Sequence, residues 1–209
     1  MVTNKLFTIS RTGYSNSNIY VSLYNMETIS ILFFALASFV GIEESRILSR
    51  KATVAIDPVH QTFEVVQEDL FSIVVTEEDS IATIKELQLI MDVEKNPENN
   101  DSSSVVIESV CLQRQGNQLH ATLKGRYTDV KALREAGIYV DNAGFSMINI
   151  PEWNIRSTDA ALKGNYWEWP ANKKVTFMLE AFENIPADYL PYRHSVLPYW
   201  DDAQTNANK

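Results

Sequence analysis

The stretch VVIESVCLQRQGNQLHATLKGRY, residues 105–127, decides how the chain is read. Two runs that alternate apolar and polar side chains flank Gln115-Gly116-Asn117, and that trio supplies the positive backbone angles a tight hairpin turn needs. Alternation at period two predicts antiparallel strands over Val105–Arg114 and Gln118–Tyr127. It places Cys111 on the face of Val105 and Ile107, as a buried and inert thiol, because structural cysteines behave as small hydrophobes. It places His120 with Thr122 and Lys124 on the opposite, polar face, as a solvated histidine.

The same signals recur on either side. Upstream, Ala52–Ile56 reads as a strand stopped by Asp57-Pro58, and the Phe/Val/Ile-rich run Thr62–Val75 reads as its hairpin partner. Between the hairpins the period changes. Ile81, Ile84, Leu87 and Met91 form a helical stripe over Asp79–Val93, with Thr76 or Asp79 available to cap it, and the polar tract 94–104 reads as a mobile loop. Downstream, a capping Thr128, an acid at Asp129 and a terminating Gly137 predict a short helix. Ile138–Val140 and Phe145–Ile150 bracket the turn signal Asp141-Asn142-Ala143-Gly144, and Lys174–Phe182 alternates as a further strand. Pro186, Pro191 and Pro198 then interrupt regular structure. Hairpins joined by only two helices imply an α+β fold, a mainly antiparallel sheet with two helices packed on one face.

Composition bounds the function classes. The chain of 209 residues has a formal net charge of -9, which repels a phosphate backbone and argues against nucleic acid as partner. Cys111 is the only cysteine, so neither an intramolecular disulfide nor a cysteine-based zinc site can form. The apolar run Ile29–Ile42 falls short of the roughly 20 residues needed to span a bilayer, so no integral membrane span is expected. It fits the hydrophobic region of a secretory signal, with Ala35-Leu36-Ala37 as a cleavage candidate, although a buried core helix has the same length. Met26 just ahead of the run offers a second start, and Glu27 is unusual in a signal. The expected organisation is an export segment at 1–42, one α+β domain at 45–200 and a polar tail at 201–209.

No phosphate-binding, serine-nucleophile or helical zinc-protease motif occurs. His60, His120 and His194 lack metal-ligand spacing, and Asp141–Gly144 lacks the later ligands of a calcium loop, so no cofactor is expected. Glu68 and Asp69, neighbours on a strand, point to opposite faces, while Glu77, Glu78 and Asp79 suit a helix N-terminus. The informative group is aromatic. All tryptophans lie in the last third, and Trp153, Tyr166, Trp167 and Trp169 are the candidate ligand-binding residues. A strand over residues 166–169 sets Trp167 and Trp169 on one face and Tyr166 and Glu168 on the other.

The stretches SRKATVAIDP at 49–58, EVVQEDLF at 64–71 and LKGNYW at 162–167 resemble small uncharacterised exported proteins of Bacteroidota. The resemblance implies an exported or envelope location and no particular activity. The sequence therefore points to a non-enzymatic exported domain that binds a protein or glycan through its aromatic-rich C-terminal third. The alternatives are a hydrolase with paired carboxylates converging from distant strands, and a lipocalin-like carrier with a closed barrel.

Overall fold

A computed structural model describes residues 45–97, 105–141, 144–171, 173–180, 185 and 187–207. The run Ile29–Ile42 and most of the polar tract at 94–104 lie outside the described residues. The architecture is α+β with mainly antiparallel sheets. β1 (Leu48–Asp57) and β2 (Thr62–Ile73) form the first hairpin, from Asp57↔Thr62 to Leu48↔Phe71. Asp57 closes its turn by accepting from the amides of Val59 and His60 at 3.1 and 3.2 Å. β3 (Val105–Gln115) and β4 (Gln118–Tyr127) meet at Gln115↔Gln118, with Gly116 at φ 61° making the turn.

These hairpins join side by side through β2 and β4, and β9 (Val175–Leu179) adds to the outside of β1, in the order β3-β4-β2-β1-β9. Register aligns buried, mostly apolar side chains in rows across all five strands. One row runs Phe177, Val54, Val65, Leu123, Val110 and the next Leu179, Ala52, Gln67, Ala121, Leu112, every member buried. The neighbouring positions of opposite parity, such as Thr53, Val66 and Thr122, are only half-buried.

Further along the β1–β2 hairpin both faces of β2 are covered. Asp69 sits in the left-handed region at φ 59°, and Asp69, Leu70, Phe71 and Ser72 are all buried. On the other strand the buried set is Ala52 and Val54, then, towards the start of the hairpin, Ser49 and Ile47 just before β1. β10 (Arg193–Ser195) pairs with β2 in this second half, Arg193↔Ile73 to Ser195↔Phe71.

Three α-helices are described. α1 (Glu77–Lys95) starts with a capping box, Thr76 and Asp79 each bonding the other's backbone N–H. Its buried face is Thr83, Glu86, Leu87, Ile90, Met91 and Val93. The expected stripe is thus rotated: Ile81 lies on the solvent side, 45 % exposed. α2 (Val130–Glu135) is capped by Asp129, not Thr128, because the Asp129 carboxylate reaches the Lys131 amide at 2.9 Å. α3 (Leu197–Ala207) carries Pro198 in its first turn, where no helical donor is lost, so residues 201–207 continue a helix instead of forming a tail. One buried cluster unites Leu87 and Ile90 of α1 and Leu133 of α2 with the sheet rows.

A second, four-stranded sheet has the order β5-β6-β8-β7, from β5 (Ile138–Val140), β6 (Gly144–Ile148), β7 (Ala161–Lys163) and β8 (Tyr166–Pro170). Two expectations on the first sheet are overturned. The β3–β4 register slips between Ile107 and Ser109, which moves every later side chain of β3 to the other face, so Cys111 is exposed. His120 is buried at 8 % exposure, as are Leu119 and Ala121 beside it, so both faces of β4 are covered there. Asp201 of α3 ties down the adjoining end of β3 through Arg114 at 2.6 Å.

Candidate functional site

The four candidate aromatics do not form one platform. Trp153 ends a short 3-10 turn, Pro151–Trp153, and is 3 % exposed, its carbonyl accepting from the Glu180 amide at 2.9 Å. Trp169 is 2 % exposed, donates from Nε1 to the Thr176 carbonyl at 3.3 Å, and tilts against Phe177 with ring centroids 5.8 Å apart. Both are core residues that join the small sheet to β9. Trp167 is half-buried and fixed by its Nε1–H to Asn149 Oδ1 at 3.0 Å. Tyr166 alone is well exposed, at 45 %.

The sheet register shows what Tyr166 belongs to. Met147, Trp167 and Leu162 lie level on the inward parity, and Phe145 is level with Trp169. On the outward parity, Tyr139 is level with Ser146, Glu168 and Ala161, and Ile148 is level with Tyr166 and Lys163. Tyr139, Tyr166 and Glu168 therefore share one face. Lys163 and Glu168 pair across β7 and β8 at 2.7 Å. The Ile-Tyr-Val alternation of β5 held the signal for Tyr139, a tyrosine between two inward apolar residues.

Elsewhere several ionisable groups are engaged in ion pairs and hydrogen bonds. Around the larger sheet Lys51 meets Glu68 at 2.6 Å, Lys124 meets Glu64 at 3.2 Å and Arg126 meets Glu108 at 2.5 Å. The His60 hydrogen bond pulls Asp57 down to about 2, with a further bond from Lys174. Asp69 receives Arg193 at 2.7 Å and Arg50 at 3.3 Å, and the Arg193 guanidinium lies 4.5 Å over the Phe71 ring. Glu86 is buried and accepts from the Ser45 hydroxyl and the amides of Arg46 and Ile47. Burial nevertheless dominates and raises its pKa.

The two best-formed concavities among the described residues have volumes of about 190 Å³, beside Val130 and Val140, and about 180 Å³, between Phe63, Gly125 and Lys174. Both are below the roughly 300 Å³ at which small-molecule sites begin. No group of three or more metal-ligating side chains occurs among the described residues. Among the described residues the larger sheet runs from β3 to β9 without closing on itself. No described helix is long and apolar enough to cross a membrane. No family model, curated protein or solved structure matches the chain.

Proposed function

We propose that this chain is a non-enzymatic, exported or envelope-associated binding domain whose partner docks on the outward face of the β5-β6-β8-β7 sheet. One observation carries the reading: of nine exposed large hydrophobic side chains among the described residues, Tyr139 and Tyr166 share the outward face of this one small sheet, with Leu162 at its β7 edge. Exposed apolar area concentrated in one place marks interaction surfaces, whereas scattered single residues do not. Of the sequence candidates, Tyr166 contributes to binding, whereas Trp167 lies on the inward parity with Trp169. Trp153 and Trp169 brace the sheet from behind. Small concavities and carboxylates already paired with cations favour binding over hydrolysis.

The reading includes a layered fold, with α1 and α2 on one face of the larger sheet and the small sheet free to present its tyrosines. Export rests on the Ile29–Ile42 run with its Ala35-Leu36-Ala37 site. Mass spectrometry of the native amino terminus tests it, since a chain beginning before residue 29 would contradict cleavage. Binding is tested by comparing the immobilised protein with its Tyr139→Ala/Tyr166→Ala variant on a cell-envelope extract. Equal retention of every component by both would overturn the docking face.

A further inference from the structure

We infer that the occupant of this face is an uncharged oligosaccharide laid across Tyr139 and Tyr166, an inference that rests on the outward face being the binding face. The geometry comes from the ladder. Tyr139 is level with Glu168 two strands away, and Tyr166 lies two residues from Glu168 along β8. Strand spacing of ~4.8 Å and a rise of ~3.4 Å per residue put the two tyrosine positions roughly 12 Å apart, diagonally across the face. That separation exceeds a single sugar ring, so both rings are engaged only by a chain of several sugars.

Size and charge select the class of ligand. Four strands of three to five residues offer roughly 250 Å² at those spacings. A stable protein interface needs about 800 Å² from each partner, several times more. Tyrosine rings present a negative π face to the polarised C–H groups of a pyranose, and their hydroxyls reach its edge. Among the described residues of these four strands, the charges on the face are Lys163 and Glu168, which neutralise each other at 2.7 Å. In a protein of net charge -9 this face is electrically silent. An anionic glycan finds no unpaired cation on it.

The test is affinity electrophoresis of the full chain through gels containing neutral glucan, mannan, xylan or galactan, or anionic polygalacturonate, at low and high salt. At least one neutral polymer should retard the protein, independently of salt. Tyr139→Ala and Tyr166→Ala should each weaken the retardation roughly three- to tenfold, with thermal unfolding unchanged because both side chains are exposed. The inference is overturned if no neutral polymer retards the chain, if the double variant is retarded equally, or if only polygalacturonate binds and salt abolishes it. If instead an envelope protein is captured by the parent and lost by the double variant, the glycan is wrong and the docking face stands. If the double variant loses nothing to any polymer or protein, both fail.

Discussion

Arg193 donates to the carboxylate of Asp69 at 2.7 Å across 124 residues of chain, at the one position where β2 enters the left-handed region. The pair holds a backbone conformation that costs a non-glycine residue about 1 kcal/mol or more. Asp69→Ala keeps that cost and strips two arginines of their partner, so it should lose about 2–4 kcal/mol in urea unfolding. Asp69→Asn tolerates the left-handed angle better and should lose about half as much. Equal losses would show that the backbone angle contributes nothing.

Glu86 should leave a mark on the pH profile of stability. Burial lifts its carboxyl above the ordinary range against the pull of Ser45, Arg46 and Ile47. A carboxyl raised by folding holds its proton more tightly in the folded chain. Its contribution therefore favours folding at low pH and is lost as pH climbs from ~4.3 through the higher folded value. Glu86→Gln should flatten the profile across that window and stay within about 1 kcal/mol of the parent at neutral pH, because weaker hydrogen bonds from Ser45, Arg46 and Ile47 are offset by removing a buried charge. A variant profile parallel to the parent's would remove Glu86 as the source.

Phe63 and Gly125 are paired across β2 and β4, and a methyl at Gly125 would come within 2.7 Å of the Phe63 ring and 2.5 Å of the Val106 carbonyl. Gly125→Ala should therefore cost about 1–3 kcal/mol by overpacking. Phe63→Leu should recover part of that loss in the double variant, because the ring is one of the two obstacles. Strict additivity of the two substitutions would argue that the carbonyl alone sets the cost.

Trp169 and Tyr166 should separate cleanly although they lie three residues apart. Trp169→Ala opens a core cavity and should lose about 3–5 kcal/mol, whereas Tyr166→Ala should stay within about 0.5 kcal/mol of the parent. A strong loss of stability at Tyr166 would place it in the core.

Cys111 should react with a maleimide in the folded protein without denaturant, because its side chain is exposed. Protection until unfolding would contradict the register slip between Ile107 and Ser109.

The hairpins were legible because turn chemistry and alternation fix register together, as at Gly116-Asn117 and at Asp57-Pro58. The same alternation put Tyr166 and Trp169 on opposite faces, but not which face is buried, and Trp169, a candidate binding residue by sequence, lies in the core. What failed was parity after an irregularity. One extra residue at Glu108 turned Cys111 outward, and no propensity announces a bulge there. The link from Asp69 to Arg193 joins a strand to a segment far along the chain, which local pattern cannot anticipate. Trp153 reads as a surface candidate by composition and becomes core only because its turn docks against Glu180. Tyr139 was signalled by the Ile-Tyr-Val alternation of β5, but only the pairing of β5 with β6 and β8 brings it onto one face with Tyr166.

The neighbour of β1 on its outer side is β9, in the ladder Ala52↔Leu179 to Ile56↔Val175. The first of the described strands to be synthesised thus waits for one made more than a hundred residues later. At ordinary synthesis rates of about 5–20 residues per second, β1 carries an open edge for roughly ten seconds before its partner exists. Closing that ladder spans more than half the chain and is a strongly non-local step, of the kind that slows folding. Chaperone capture or translocation in an unfolded state would find its opening in that interval.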